Sequence, residues 1–404
     1  MALICAAAFL AAWSPNLANT YGGALAVAAV LVSSHLPRFR LPDTLAGLTA
    51  MWALGSTLLD TVDPAATRWL AYMYASACLV FIAVRHVVRN RTYLITVAYA
   101  HLAGCVATCF TLVTGARGNA DQRDAILDYN VRYGVDGVNI NYTSYTLATG
   151  AVLAAVLLCV GPRSRVMRAV LVVTLLALAY GVLLTGSKGA TLGLVLGAAF
   201  LALSRITWKL AGVMARVCVP ALILLLPFTA ASLFSSTAQR LDGLFGRETG
   251  DLSGRLEVWP VAISAWMEHP FAGLGPGVFR LENPYQIGPH NLLLTVGTDL
   301  GLIGVLLYGS TMVAALTYAA RNPGHTGRVV AGLFATSLLP IWLSGHWEYS
   351  QGAWLVLALL SVVGIAANPS RQNGGRHRSM PHQEEFRGVN RPLDYGVRPA
   401  RPLR

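Results

Sequence analysis

The sequence predicts an all-α polytopic membrane protein with about twelve transmembrane helices. Three observations carry this expectation. The chain of 404 residues is 55% hydrophobic and only 12% charged, unlike a soluble domain. Apolar runs of about twenty residues, long enough to cross a hydrocarbon core as helices, recur along it. The gaps between those runs alternate between basic and acidic, as segments that cross and recross a membrane require.

Taken in order, the expected spans are roughly 2–13, 20–34, 44–59, 68–84, 92–113, 142–160, 166–184, 189–204, 209–233, 291–319, 327–345 and 350–367. The first has no basic residue before it and no A-x-A-like site after it, so it reads as a retained span rather than a signal peptide. Arg38 and Arg40, then Arg85, Arg89 and Arg91, then Arg163, Arg165 and Arg168, then Arg205 and Lys209, then Arg321 and Arg328 fill every second gap. The other gaps hold Asp60 and Asp63, Asp121 to Asp136, Asp242 to Glu282, and Glu348. By the positive-inside rule both termini are expected in the cytoplasm and the acidic gaps outside. Residues 1–367 then form the membrane domain, with long outer loops at about 114–141 and 234–290, the latter between the ninth and tenth spans. Residues 368–404, rich in Arg, Pro and Gly, read as a disordered basic cytoplasmic tail that can adhere to anionic lipid.

The formal charge of +12 does not indicate nucleic acid, because the basic residues sit in the short gaps and the tail. The cysteines (Cys5, Cys78, Cys105, Cys109, Cys159 and Cys218) fall in apolar segments, so they read as small buried hydrophobes without disulfides. No Cys/His spacing suggests zinc, and no cofactor is expected.

Chemistry is concentrated in the stretch from Asp251 to Gly304. It brings Arg255, His269, His290, Glu257, Glu268 and Glu282 together with a run of glycines. Leu256, Trp259, Ile263, Trp266 and Met267 recur at helical spacing there, which predicts an amphipathic helix along the membrane surface or capping the bundle. Pro260 either begins that helix or kinks it. Gly273, Gly275 and Gly277 in G-L-G-P-G lack the strand and helix of a nucleotide loop, so they read as tight backbone turns. His290 stands at the membrane re-entry point, where an imidazole could take a proton from a hydroxyl nucleophile. Lys188, in T-G-S-K-G-A, lies in a short apolar connection where a cation needs water, an anion or a partner. In the first long loop, R-Y-G-V-D-G-V-N-I-N-Y brings Arg132, Asp136, Asn139 and Asn141 to the sixth span. Arg132, Lys188 and Arg255 are cations suited to phosphate.

T-G-S-K-G-A-T-L-G, S-G-R-L-E-V-W, H-P-F-A-G-L-G-P-G-V-F and P-H-N-L-L-L-T-V-G-T-D-L-G-L-I-G, in this order, resemble the bacterial O-antigen ligase and O-antigen polymerase superfamily of membrane glycosyltransferases. The likeness is strongest over about 180–310, and G-V-N-I-N-Y is a weaker match. It implies a donor glycan on a polyprenyl pyrophosphate, a glycan acceptor hydroxyl, a site at the outer leaflet of the cytoplasmic membrane, and no divalent metal. It implies His290 as catalytic base and Arg255 as the loop arginine. Lys188, Arg132, Asn141, Glu257 and Asn291 become candidates for binding pyrophosphate or glycan. Lys188 stands where the family usually has arginine, so the charge survives without the bidentate fork. A polymerase of surface polysaccharide is favoured over a ligase, with other polysaccharide-assembly proteins as possible partners.

Two other classes compete. A transporter or flippase of lipid-linked glycans predicts ionisable residues deep within spans, whereas here Asp299 is a shallow exception. A polyprenyl-dependent transferase with an acidic pair in its first outer loop is disfavoured, since W-S-P-N-L-A-N holds no acid.

Overall fold

Small apolar residues with helical periodicity fold this chain into helices that pack side by side. The computed structural model describes residues 1–33, 39–58, 64–115, 134–135, 138–160, 164–206, 255–320, 325–343, 345 and 347–366. In chain order the helices are α1 Ala2–Trp13, α2 Pro15–Leu31, α3 Leu41–Ser56, α4 Pro64–Val87, α5 Arg91–Thr114, α6 Ile140–Val160, α7 Arg165–Leu184 and α8 Lys188–Ile206. They continue as α9 Arg255–Glu268, α10 Val278–Glu282, α11 Leu292–Ala320, α12 His325–Leu343 and α13 Gln351–Ala366. No strand occurs among the described residues.

The segments Pro64–Val87, Arg91–Thr114, Ile140–Cys159, Arg165–Leu184 and Leu292–Ala320 are long and apolar enough to cross a membrane. Ala2–Trp13, Lys188–Ser204, Gly327–Trp342 and Gln351–Val363 are shorter apolar helices. The segment expected to span at 209–233, most of the first long loop and the tail lie outside the described residues.

Close approach of small residues sets the packing, as it must where lipid offers no hydrophobic drive between helices. Helix α1 buries Ile4, Ala7, Ala8, Ala11 and Ala12 as one stripe. Against it lies α5, where a Cβ on Gly104 would run into the Phe9 carbonyl. Polar side chains of α5 reach the same stripe. His101 Nδ1 is 2.9 Å from the Ala8 carbonyl, and Thr108 Oγ1 donates to the Ala12 carbonyl at 2.7 Å. Helix α8 lies along α12 in the same manner, with Gly193 against the Ser337 carbonyl and Gly197 against Ser337 Oγ. The pairing of Gly193 with Ile341 and of Gly197 with Leu333 makes these two helices antiparallel.

One ion pair pins four helices at the end rich in arginine. Arg85 Nε donates to Asp43 Oδ1 at 2.6 Å, with the two side chains 3% and 7% exposed. Arg85 Nη1 also donates to Ser361 Oγ, and the guanidinium lies 5.4 Å from the Phe81 ring and 5.5 Å from the Tyr318 ring. Asp43 in turn accepts from the Arg40 backbone N–H at 2.9 Å, which caps α3. Removing one charge of such a pair strands the other away from water. Asp43→Asn is expected to destabilise the protein by about 3 kcal/mol, the low end for a broken buried pair because Asn keeps one acceptor. The check is the thermal unfolding midpoint in detergent. An unchanged midpoint would show that the pair carries no net weight.

Candidate functional site

The site is built around a break in α11. Gly301 has φ +65 and ψ −166, a conformation that no helix interior contains. The break frees backbone groups on both sides of it, and in an apolar interior each needs a partner. The segment 270–277 supplies most of them. Leu302 N–H donates to the Pro270 carbonyl at 2.8 Å and Ile303 N–H to the Phe271 carbonyl at 3.2 Å. In the other direction, Leu274 N–H donates to the Thr298 carbonyl at 2.7 Å and Gly275 N–H to the Asp299 carbonyl at 3.1 Å. Trp52 of α3 donates its indole N–H to the Leu300 carbonyl at 2.9 Å.

The glycines of G-L-G-P-G turn tightly, as the sequence suggests: Gly273, Gly275 and Gly277 all have positive φ. At Gly273 a second constraint applies. A Cβ there would sit 2.6 Å from the Gly301 nitrogen, so the two strands of backbone could not come together.

Asp299 locks this junction. Its Oδ1 accepts from Gly277 N–H at 3.0 Å, and its Oδ2 accepts from the Tyr74 hydroxyl of α4 at 3.0 Å. It is a buried fastening for the loop, which the sequence shows only as an acid in an apolar span. Glu348 is a second buried acid. Grouped by sequence with the outward acids, it is 1% exposed in the turn between α12 and α13. Burial, and then the neighbouring Asp299 carboxyl, push its pKa above the usual carboxylate range. That turn is held by the Glu348 carbonyl, which accepts from the Tyr308 hydroxyl at 2.9 Å and the Trp354 indole at 2.8 Å.

Helix α9 carries Arg255 and Glu257 toward the start of α11. The amphipathic helix expected here exists, and its buried face keeps Trp259 and Trp266 of the expected stripe but not Ile263 and Met267. Val258 and Ala262 are buried with Leu294 and Phe279, and Trp259, Val261, Ala265 and Trp266 pack around them. Ile263 and Met267 are 50% and 71% exposed. The sequence stripe missed this because Ala262 and Ala265, which permit close approach, carry little weight in a hydrophobic pattern. Pro260 lies inside the helix and does not begin it.

Contacts along α9 fix its direction. The Trp259 indole N–H donates to the Pro289 carbonyl at 2.8 Å, Trp266 covers Gly297, and Pro270 and Phe271 reach Leu302 and Ile303. Helix α9 therefore descends beside the first half of α11, turns at the break, and returns through α10. At 1.5 Å per residue the break is about 14 Å below Leu292 along α11. This helical hairpin runs alongside the first half of α11.

His290 stands immediately before α11, half-buried, with φ +50. Asn291 caps α11, its Oδ1 accepting from Leu293 N–H at 3.0 Å and Leu294 N–H at 3.2 Å. The capping role commits that oxygen, leaving the Asn291 amide N–H₂ for other contacts. Arg255 opens α9 one turn before Trp259, and its side chain lies outside the described residues. Exposed Glu257 sits in the first turn of α9, where a negative charge complements the helix dipole. The Trp259–Pro289 bond thus holds the N-terminal part of α9 against the residue before His290.

Lys188 and Asn141 belong to a different part of the bundle. Lys188 is exposed at the start of α8, which antiparallel packing places near the end of α12. Half-buried Asn141 lies in the first turn of α6, whose Tyr142 and Tyr145 rings meet Trp347 at 6.4 and 5.6 Å. The α12–α13 turn bonds to Tyr308, so these starts are set deeper along α11 than His290. The candidate residues are staggered in depth toward one end of the helices. Arg132 lies outside the described residues. Among the described residues no cluster of His, Cys, Asp and Glu could hold a metal ion.

Residues 171–309, about a third of the chain, match the family described as O-antigen ligase. The match runs from α7 through the break in α11 and contains Lys188, Arg255, His290 and Asp299. No curated protein matches the chain.

Proposed function

We propose that this chain, whose residues 171–309 match the O-antigen ligase family, is a glycosyltransferase of the O-antigen ligase and polymerase type and transfers a glycan from a polyprenyl pyrophosphate to a sugar hydroxyl. The observation that carries the reading is the bond from Trp259 to Pro289, which holds the N-terminal part of α9 against the residue before His290. His290 takes the proton of the acceptor hydroxyl as its oxygen attacks the anomeric carbon. The bond from that carbon to the phosphate oxygen breaks, and the pyrophosphate leaves with the electron pair. Arg255 and Arg132 neutralise the developing charge, so that fixed cations replace a divalent metal, and Lys188, set deeper in the bundle, holds another part of the lipid-linked donor. Attack opposite the leaving group inverts the anomeric centre. Glu257, Asn141 and the Asn291 amide are left to bind glycan.

The chain would work as a polymerase of surface polysaccharide in the cytoplasmic membrane, crossing it about twelve times. Both termini would be cytoplasmic and the site would face the outer leaflet. The transporter reading has less support. Asp299, the acid within a span, has both oxygens engaged in fastening the 270–277 loop and does not present them to a passage.

The test is single-turnover transfer by purified protein in lipid, using the lipid-pyrophosphate glycan of the native host in excess chelator. Glycan extension with release of polyprenyl pyrophosphate is expected. Arg255→Ala is expected to weaken donor binding and turnover together, because one cation serves the ground state and the transition state. Activity that vanished with chelator and returned with magnesium would overturn the cationic account of the leaving group.

A further inference from the structure

His290 holds a backbone conformation that non-glycine residues uncommonly adopt, at φ +50. Such a residue keeps its geometry only when its surroundings over-determine it. On its C-terminal side, Asn291 caps α11 through two backbone N–H groups. On its N-terminal side, the Pro289 carbonyl accepts from the Trp259 indole at 2.8 Å. Trp259 is anchored in turn by the cluster of Val258, Ala262, Phe279 and Leu294. The peptide plane entering His290 is therefore fixed by a side chain of α9, the helix that begins with Arg255.

We infer that Trp259 is a positioning residue for His290: its indole N–H fixes the Pro289–His290 peptide and so aims the imidazole. This rests on the proposed role of His290 as base. Trp259 touches no substrate in this assignment. Its ring serves packing, and its N–H serves the aim of the base, so the two can be separated chemically.

The experiment removes the N–H and keeps the ring. Trp259→Phe is expected to lower kcat about tenfold, the upper range for one lost hydrogen bond, with KM for the lipid-linked donor unchanged within about twofold. Benzothienylalanine at position 259 replaces the N–H by sulfur in a ring of matching shape and should lose kcat to the same degree. It keeps the test decisive if phenylalanine disturbs folding. The variants are also combined with His290→Ala. With no base left to aim, loss of the N–H should cost nothing further. A full tenfold loss on the His290→Ala background would mean that Trp259 acts elsewhere, and would overturn the inference. Wild-type kcat in both N–H-lacking variants, with His290→Ala inactive, would overturn the inference and leave the base reading standing. Full activity in His290→Ala would overturn both.

Discussion

Replacing His290 by alanine is expected to slow transfer by about 10²–10⁴-fold, the usual contribution of a positioned general base. Donor affinity should change little, because in the proposed mechanism the imidazole meets the acceptor hydroxyl and not the pyrophosphate. The structure sharpens the control. His269, the other histidine of this loop, lies just beyond the C-terminal end of α9, where its N–H donates to the Trp266 carbonyl at 3.1 Å. Helix α9 has 14 residues, so its ends are about 21 Å apart, and His269 lies far from the Trp259–Pro289 junction. His269→Ala should therefore retain transfer. The measurement is single-turnover transfer from the lipid-linked donor, with membrane insertion of each variant checked first. If His269→Ala lost activity while His290→Ala kept it, the base would belong at the bottom of the hairpin and not at its mouth.

How much of this was readable beforehand depends on the residue. The helices follow from apolar runs, and α5 even carries its cap in sequence, with Asn90 accepting from Tyr93 N–H at 2.8 Å. G-L-G-P-G was legible as a turn because glycines so closely spaced have few other uses. What the turn is for was not legible. Gly301 falls inside a continuous apolar run, and nothing local distinguishes a helix-breaking glycine from a packing glycine such as Gly297, four residues before it, which Trp266 covers. The difference lies in Pro270 and Phe271, about thirty positions earlier, whose carbonyl groups accept from the N–H groups of Leu302 and Ile303.

Asp299 shows the same limit. An acid in an apolar helix signals function or a buried partner, and sequence cannot choose between Tyr74 and a transported ion. Glu348 lies in a gap between spans, but such a gap need not meet water. Here the gap is folded into the bundle under Trp354 and Tyr308. Lys188 and His290 both lie in gaps that the charge alternation puts on the same side. Gap position gives side but not depth, and the short helices α8 and α12 set their ends deeper along α11.

Gly301→Ala is expected to be the most damaging single substitution for folding. Two costs add. The backbone at φ +65 and ψ −166 lies in a region almost confined to glycine, worth about 1–3 kcal/mol for another residue. A Cβ there would also run into the carbonyl of Phe271, and neither partner can yield, because both are main chain held by the Leu302–Pro270 and Ile303–Phe271 hydrogen bonds. Forcing a methyl group into filled space costs about 1–3 kcal/mol more. A total of about 4 kcal/mol is a large part of the usual stability of a domain. The hairpin should detach from α11 before the rest of the bundle fails, taking the Gly277 and Asp299 contact with it. The comparison is Gly309→Ala on the same helix, where nothing lies within 4 Å of an added Cβ. It should be neutral or slightly stabilising, since alanine favours a helix over glycine by about 1 kcal/mol. Thermal midpoints in detergent and the yield of monodisperse protein measure both. A Gly301→Ala protein as stable as Gly309→Ala would mean that α11 can run unbroken through position 301, and the hairpin would lose its structural basis.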